Sequence, residues 1–286
     1  MPTLLIVGCG TLGSSVAKLR IHAGDRVLGL TRHPRELPNG TVPLLGDVTM
    51  PECFANIVEA VDHVVYCVGP SGREISAYRS VFDLGLCNLL DWLCATGRRK
   101  SRLLFVSSTS VYGQTDGQWV DEQSETSPRD ATAHVLLEAE QCVLSTYPNS
   151  VVLRLAGIYG PSRKSLVERA LVGLLPGQLG VHFVNRMYLP DCARAVEHLL
   201  HLDAAERLFI GADNEPASQR TVLTWLSEHF DLPPVPVDNS GQHCAPNHKR
   251  CRNTRLCQSG FYLEYPTFRE GYAELALAAG LLPRRR

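Results

Sequence analysis

Short apolar runs alternate with longer segments of helical periodicity over the first 211 residues of the chain. A mostly apolar run such as 61–68 is typical of a parallel strand that is covered on both faces. A segment such as 131–146 places apolar residues at the spacing of an amphipathic helix. The alternation predicts an α/β fold, an open, doubly wound parallel sheet with helices on both faces. The strands are predicted at 4–7, 26–30, 42–45, 61–68, 103–106, 151–155 and 207–211, and the helices at 14–23, 78–95, 131–146 and 191–202.

The pattern becomes less regular after residue 211. A helix is predicted at 221–230, a proline-rich connector at 232–237 and a closing helix after Pro266. We therefore expect a second, smaller domain beside the sheet domain. The predicted division is a larger domain of residues 1–160 with 185–211 and a smaller, substrate-side domain of residues 161–184 with 212–286.

Gly8, Gly10 and Gly13 form a glycine-rich turn between the first predicted strand and the first predicted helix. Glycines at this spacing let the chain turn sharply, let its backbone approach a pyrophosphate and let the helix pack closely on the strand. The N–H groups at the start of the helix then face the anion. The turn therefore predicts a Rossmann domain that binds NAD or NADP. The candidate cofactor-binding residues lie in this turn and at the carboxyl ends of the neighbouring strands: Gly8, Gly10, Thr11, Leu12, Gly13, Thr31, Arg32, Asp47, Val48, Cys67, Val68, Gly69 and Ser107.

The end of the second predicted strand bears on the choice between NAD and NADP. An acidic residue at this position accepts hydrogen bonds from the ribose hydroxyls of NAD, whereas an arginine suits the additional phosphate of NADP. This chain has Arg32 there, with Arg35 close behind, so NADP is slightly preferred. The alternative is that both arginines are solvated loop residues. Asp47, beyond the third strand, is placed either to reach an adenine amine or to cap the helix that follows.

The balance of charge argues against nucleic acid and anionic membranes as partners. Lysine and arginine number 28 and acidic residues 29, so the chain has no global basic field. No apolar stretch approaches the length that crosses a bilayer, and the first apolar run lacks the basic leader of an export signal. The ten cysteines are scattered, which favours reduced thiols. We therefore expect a cytoplasmic protein with a small-molecule substrate.

Histidines and cysteines cluster between residues 243 and 257 without the repeated CxxC spacing of a zinc site. We therefore predict no metal. The polar and basic residues of the same stretch are candidates either for binding an anionic substrate or for tying the smaller domain to the larger one. The histidines and cysteines are His243, Cys244, His248, Cys251 and Cys257, and the polar and basic residues are Asn247, Lys249, Arg250 and Asn253.

Five separated motifs, more specific together than the glycines alone, extend over most of the chain. They are GCGTLG at 8–13, YRSVFDLGLCNLLD at 78–91, SSTSVYG at 107–113, RLAGIYGP at 154–161 and NRMYLPDCARAV at 185–196. With them the chain resembles the extended short-chain dehydrogenases/reductases, the NAD-dependent epimerase/dehydratase family. The segment NHKRCRNTRL at 247–256 is similar to an atypical branch of that family. The resemblance implies an NAD(P)-dependent oxidoreductase or epimerase/dehydratase acting on a nucleotide sugar or a small carbonyl or alcohol, and a homodimer formed through two helices.

The chemistry of this family relies on a serine or threonine, a tyrosine, and a lysine four residues after the tyrosine, which lowers the tyrosine's pKa. Ser108 resembles the catalytic serine, because it stands three residues before the valine of VYG. The tyrosine and the lysine are absent. When the family's catalytic helix is aligned on the end of the helix predicted here, the positions of the tyrosine and the lysine fall on Thr132 and Leu136, and this alignment needs no insertion. Registered by distance from Ser108, they fall near His134 and Glu138.

The resemblance makes Ser108 a candidate catalytic residue. His134 is the candidate base, because the unperturbed pKa of an imidazole lies nearest neutrality and the residue is about half a helical turn from the vacant tyrosine position. Ser108 would polarise a substrate oxygen, and His134 or a bound water would relay the proton. Without a catalytic role, Ser108 would cap the following turn and His134 would be a partly exposed helix residue. The missing pair also supports a second hypothesis, in which the protein binds the dinucleotide without catalysis and acts as a redox sensor or a scaffold.

Overall fold

The central element of the fold is a seven-stranded, mostly parallel sheet. The computed structural model describes residues 1–161, 166–171, 182–203, 205–230, 232 and 248–284. In chain order their strands are β1 (Thr3–Val7), β2 (Arg26–Thr31), β3 (Thr41–Leu45), β4 (His63–Tyr66), β5 (Arg102–Ser108), β6 (Trp119–Val120), β7 (Ser150–Leu155), β8 (Gly157–Tyr159), β9 (Arg186–Tyr188), β10 (Leu208–Gly211) and β11 (Arg250–Cys251). The sheet order is β10-β7-β5-β4-β1-β2-β3, and β1–β2, β1–β4, β2–β3 and β4–β5 pair in parallel. The predicted doubly wound α/β fold is confirmed.

Helices follow most strands of this sheet. Their bounds are α1 (Thr11–His22), α2 (Glu52–Ala55), α3 (Ile75–Arg79), α4 (Gly85–Ala95), α5 (Ala131–Thr146), α6 (Leu166–Leu171), α7 (Leu189–His201), α8 (Gln219–His229), α9 (Thr254–Gln258) and α10 (Phe268–Ala278). Of the helices within the described ranges, none has the length and apolar character needed to cross a membrane. The predicted connector at 232–237 lies, apart from residue 232, outside the described residues.

β1 and α1 form the first unit of strand, turn and helix. β1 is buried along its whole length, as expected of a central parallel strand. α1 begins at Thr11, three residues earlier than the apolar pattern predicts, because Gly10 already occupies the N-cap position. Arg20, on the buried side of α1, is neutralised by Asp25 at 2.5 Å and by Glu197 at 2.7 Å.

The single helix predicted at 78–95 is longer and is interrupted. It begins at Ile75, and a π-helical turn at Ser80–Leu84 separates α3 from α4. The buried hydroxyl of Tyr66 donates a hydrogen bond to the carbonyl of Val81 inside this turn. A wider turn frees carbonyl groups from the helical pattern, and here a neighbouring strand supplies the partner. The periodicity of the local sequence therefore cannot predict this interruption of the helix.

The described chain divides into two compact units. The first unit contains the glycine-rich turn and most of the sheet. The predicted domain boundaries differ from these units at several points and stay a prediction. The first unit comprises Met1–Tyr112, Glu125–Arg154 and Cys192–Phe209, and the second comprises Gly113–Ser124, Leu155–Asp191 and Ile210–Arg286.

The second unit has its own apolar core and two short parallel strand pairs, β6 with β11 and β8 with β9. Tyr159 stacks on Tyr272 in this core, with ring centroids 4.5 Å apart. Phe268, at the start of α10, is fully buried, and a capping box between Thr267 and Glu270 fixes where that helix begins. The strand β6 is only two residues long and lies in a polar segment, so its pairing with the distant β11 carries no local sequence signal.

Candidate dinucleotide site and catalytic residues

The three glycines of the turn are required for different reasons. Gly8 has φ +92°, and a Cβ there would lie 2.7 Å from the backbone of Val68. A Cβ on Gly13 would lie 2.8 Å from the carbonyl oxygen of Gly8, so this glycine permits close packing of α1 on the turn. A Cβ on Gly10 would meet nothing closer than a terminal nitrogen of Arg35 at 3.9 Å. Gly10 therefore leaves open space, which is the property that a phosphate approaching the backbone requires.

The N-terminus of α1 follows directly on this open position. Gly10 is its N-cap, no side chain caps the helix, and its first turn contains no acidic residue. The first N–H groups of a helix have no partner within the helix and carry a partial positive charge. This end of α1 is therefore suited to an anion such as a pyrophosphate.

A cavity of about 420 Å³ opens beside the turn in the first unit. It brings together nine of the predicted cofactor-binding residues: Gly8, Gly10, Thr31, Arg32, Asp47, Val48, Cys67, Val68 and Gly69. It is not lined by Thr11, Leu12, Gly13, Ser107 or the two candidate catalytic residues. The wall also contains Arg35, which the sequence analysis named beside Arg32. Residues of the wall that sequence reasoning did not select are Cys9, Leu30, His33, Pro34, Gly46 and Val81. Most of them adjoin selected residues in the sequence, whereas Val81 reaches the wall from the π-helical turn.

The carboxyl end of β2 supplies the cationic side of the cavity. Arg32, His33 and Arg35 are exposed and line it. The Nε group of Arg32 donates to Nε2 of His33 at 3.1 Å, so that nitrogen acts as an acceptor. No acidic residue stands at the position where one would bind ribose hydroxyls.

Asp47 lines the cavity from the segment just beyond β3. Its Oδ1 accepts from the backbone N–H of Thr49 at 3.0 Å and from the Thr49 hydroxyl at 2.8 Å. These hydrogen bonds, the backbone one first, lower the pKa of Asp47, so its carboxylate is ionised at neutral pH. Oδ1 thus closes a local turn and does not cap α2, whose N-cap is Pro51 with no side-chain hydrogen bond. Oδ2 has no hydrogen-bond partner in the described ranges.

Two thiols line the cavity, that of the buried Cys9 and that of the partly exposed Cys67. The thiol of Cys67 donates to the carbonyl oxygen of Gly8 at 3.2 Å. Burial raises the pKa of Cys67 and of Cys9, so both remain protonated and unreactive at neutral pH. Cys67 therefore supports the backbone of the glycine turn rather than reacting.

Ser107 belongs to a buried network at the carboxyl end of β5. Its hydroxyl donates to Oε1 of Glu140 on α5. Arg154, on β7, donates to both oxygens of Glu140 at 2.6 to 3.0 Å and to the hydroxyl of Tyr112 at 2.7 Å. Ser107 thus has a structural partner, and its expected cofactor contact stays a prediction.

Ser108 is partly exposed and caps the short 3₁₀ turn Thr109–Val111. Its Oγ accepts from the backbone N–H of Ser110 at 3.1 Å. That bond occupies one lone pair and leaves the hydroxyl proton free to be donated. Capping and polarisation of a substrate oxygen are therefore compatible in this residue.

α5 is one unbroken helix from Ala131 to Thr146. Its geometry is therefore compatible with the alignment that places the family's tyrosine and lysine positions at Thr132 and Leu136 without an insertion. Leu136 is 4% exposed and Thr132 is partly exposed. His134 lies two residues from each and is exposed. An apolar, buried Leu136 cannot supply the cation that the family's lysine provides.

The C-terminal cluster is only partly contained in the described residues. His243, Cys244 and Asn247 lie outside them. Within them, no group of three histidine, cysteine or acidic side chains is arranged to hold a metal ion. Asn253 donates to the carbonyl of Ala212 at 2.8 Å, and burial lowers the pKa of Lys249.

The sequence that carries this glycine turn matches a known family. The sequence model of the NAD dependent epimerase/dehydratase family matches residues 4–202. The chain belongs to this family. The expected family membership is thereby confirmed.

Individual relatives of this epimerase/dehydratase family member support the fold. Protein YeeZ of Escherichia coli K12 is 31% identical over 175 residues, which are 60% of this chain and 61% of YeeZ, so less than two thirds of that relative is spanned. A Methylobacillus flagellatus protein, provisionally described as an NAD-dependent epimerase/dehydratase, is 32% identical with a TM-score of 0.82, over 98% of this chain and 99% of that chain. The UDP-glucose 4-epimerase of Thermus thermophilus, solved with NAD, is 22% identical with a TM-score of 0.76, over 95% of this chain and 96% of that chain.

Proposed function

We propose that this epimerase/dehydratase family member binds NAD(P) in the cavity of the first unit and acts as an oxidoreductase or epimerase/dehydratase. Its substrate class is a nucleotide sugar or a small carbonyl or alcohol. The observation that carries the proposal is the open space at Gly10, directly before the uncapped N-terminus of α1. The Thermus epimerase, which acts on UDP-glucose by its name and was solved with NAD, supports the choice of ligands.

Different residues of the cavity would bind different parts of the dinucleotide. The N-terminus of α1 would hold the pyrophosphate, and Oδ2 of Asp47 would accept a hydrogen bond from the adenine amine. Arg32 and Arg35 would bind the additional phosphate of NADP, because a guanidinium offers paired N–H groups to phosphate oxygens. When bound, the nicotinamide supplies a hydride donor or acceptor.

The cofactor preference is tested by Arg32→Ala. NADP affinity should fall about tenfold because one charge-assisted hydrogen bond is lost, whereas NAD affinity should stay within about twofold. Isothermal titration with both dinucleotides measures the ratio, and Arg99→Ala, an exposed arginine outside the cavity, is the control. An equal loss of affinity for NAD and NADP would contradict the proposed phosphate contact.

For the reaction, Ser108 donates its free hydroxyl proton to a substrate oxygen, and His134 or a bound water relays the proton. The missing tyrosine and lysine mean that no phenolate is prepared as the base. Purified protein is therefore to be assayed with NADP(H) or NAD(H) and a panel of nucleotide sugars, aldehydes and ketones. Ser108→Ala should reduce the turnover found by at least about a hundredfold. Ser110→Ala, which keeps the backbone N–H that Ser108 accepts, is the matched control, and unchanged turnover in Ser108→Ala would remove this role.

The second candidate function is an NAD(P)-binding sensor or scaffold without catalysis. It is favoured by Thr132 and the buried Leu136, which stand at the positions expected for tyrosine and lysine. It requires that NADP raise the melting temperature, as any ligand of the native state does, without hydride transfer to any substrate. Stereospecific oxidation of bound NADPH by a substrate would exclude it.

A further inference from the structure

Two histidines of the first unit face each other at the edge of the sheet opposite the candidate dinucleotide cavity. His63 is the first residue of β4, and the cavity residues Cys67, Val68 and Gly69 follow the other end of that strand. His201 is the last residue of α7. The two ring centroids are 4.8 Å apart, and the ring planes are inclined by 59°. His63 and His201 form the imidazole pair.

The separation of the two rings is the one that a shared metal ion requires. Zinc binds imidazole nitrogens at about 2.0–2.1 Å. When two imidazoles occupy neighbouring positions of a tetrahedral or octahedral ion at this distance, their ring centroids lie about 4.5–5.2 Å apart. The observed 4.8 Å falls within this interval. Because the nitrogen lone pairs lie in the ring planes, inclined planes let two lone pairs converge on one ion, which parallel stacked rings do not.

The hydrogen bonding of His201 leaves one of its ring nitrogens with a free lone pair. Nδ1 of His201 lies 2.9 Å from the backbone carbonyl oxygen of Glu197. A carbonyl oxygen only accepts, so Nδ1 donates, and the lone pair of the neutral ring is on Nε2. No hydrogen bond among the described residues uses Nε2. Donation from one ring nitrogen to a backbone carbonyl is the arrangement that orients the histidine ligands of metal ions.

His63 is in the uncharged form that binds metal ions. Burial first, and then the neighbouring His201, lowers the pKa of this imidazole. Arg20 lowers it further, whereas the carboxylates of Asp62 and Asp25 oppose the shift. Neither ring nitrogen of His63 has a hydrogen-bond partner among the described residues. The ring is therefore neutral at pH 7 and retains a lone pair for a ligand.

The arginines around the imidazole pair are engaged with other groups. Arg20 is neutralised by its two carboxylate partners, at 2.5 and 2.7 Å. Arg102, the neighbour of His63 in the register of β4 and β5, donates to the carbonyl of Leu202 at 3.2 Å. Asp62 is exposed beside His63 and forms no ion pair with an arginine or lysine in the described ranges. The charges of the surroundings are therefore compatible with a cation.

We propose that the imidazole pair binds one divalent transition-metal ion, Zn²⁺, through Nε2 of His201 and a ring nitrogen of His63. Neutral imidazole is a ligand type that suits zinc. Within the part of the chain that the structure describes, no third histidine, cysteine or acidic side chain completes a metal-binding group, so water fills the remaining positions. The sequence expectation of no metal rests on the spacing within 243–257, a segment that contains neither histidine. The inference is independent of the proposed function and requires no turnover.

The experiment is calorimetric titration of the metal-free full chain with Zn²⁺. His63→Gln and His201→Gln should each weaken binding at this site at least about tenfold, because each removes one of the two protein ligands. His134→Gln, which removes an exposed histidine elsewhere in the first unit, should bind Zn²⁺ like the parent. All four proteins keep the ten cysteines, so zinc held by thiols contributes equally to each titration.

The exposed partner of the pair decides the outcome if His63→Gln is unstable. The side chain of His201 is 40% exposed, so His201→Gln should keep the melting temperature of the parent in zinc-free buffer. Equal Zn²⁺ affinities of His201→Gln and the parent would overturn the site, as would the absence of saturable binding. Weaker binding by His201→Gln together with unchanged binding by a folded His63→Gln would overturn the shared coordination.

Discussion

Two buried polar clusters, one in each unit, differ in how completely their atoms are paired. In the first unit, Arg154 donates to both oxygens of Glu140, and the side chains of Arg154 and Glu140 are 6% and 1% exposed. In the second unit, Oδ1 of Asp213 accepts from the backbone of Glu215 at 3.2 Å, whereas Oδ2 has no hydrogen-bond partner among the described residues. The hydroxyl of Tyr159 is likewise buried without a partner there.

This difference in pairing determines how each cluster responds to the loss of a partner and to pH. The Glu140–Arg154 pair ties α5 to β7 with opposite charges that depend on each other, so losing one partner is costly. The Asp213 carboxyl, by contrast, is protonated and uncharged below its raised pKa. Burial raises the pKa of Asp213 to about 8, although the charge of Arg186 opposes the shift. The first cluster is therefore a fixed support beside Ser107, and the second changes its charge with pH.

The largest effect is expected from Glu140→Ala. It leaves the guanidinium of Arg154 buried without its carboxylate and should lower the free energy of unfolding by about 3–5 kcal/mol. Urea denaturation at pH 7 measures the loss. Glu138→Ala, with a side chain that is 64% exposed on the same helix, should change it by less than about 0.5 kcal/mol.

The double variant Glu140→Leu with Arg154→Met sharpens this prediction. It removes both charges and should recover much of the stability, because the uncompensated cation is gone. A double variant as unstable as Glu140→Ala would show that packing, rather than charge, is what the pair contributes.

A smaller effect is expected in the glycine turn, whose conformation depends on steric contacts rather than on charge. Gly8→Ala should cost about 2–4 kcal/mol, because its φ of +92° is strained for alanine and the methyl group meets the backbone of Val68. Thermal melting monitors the loss. Gly97→Ala, at φ +72° with nothing within 4 Å, isolates the conformational part of the cost. Equal losses for the two variants would mean that the contact with Val68 relaxes freely.

The smallest effect is expected from Asp213→Asn, and it depends on pH. An unfolded aspartate has a pKa near 3.9, so between pH 4 and pH 8 the folded chain holds a proton that the unfolded chain has lost. The stability of the parent protein therefore falls as pH rises through this range. The asparagine variant lacks this slope and should gain about 1–3 kcal/mol relative to the parent between pH 5 and pH 8.

Melting temperatures at pH 5, 6, 7 and 8 test this, with the exposed Asp116→Asn as the control for loss of a carboxylate. A difference between Asp213→Asn and parent that does not change with pH would mean that Asp213 is ionised throughout. The contrast between the two clusters would then be lost.

Much of the lining of the candidate dinucleotide cavity was predictable because its determinants are local. Gly8, Gly10 and the strand ends at Thr31 and Asp47 are recognised from short motifs and from the rule that parallel strands present their carboxyl ends at one edge. Val81 was not predictable. It reaches the cavity wall from a π-helical turn, where the hydroxyl of Tyr66, distant in sequence, donates to its carbonyl.

The sequence by itself determined the alternating fold, the family resemblance and the absence of the tyrosine and lysine, since each rests on residue type and spacing along one segment. Tertiary structure alone decided that Leu136 is buried, that Arg154 neutralises Glu140, and that Trp119 meets Arg250 across the pairing of β6 and β11. The physical reason is range. Turn geometry and helix periodicity are set by neighbouring residues, whereas charge compensation and stacking depend on side chains that only the folded chain brings within a few ångströms.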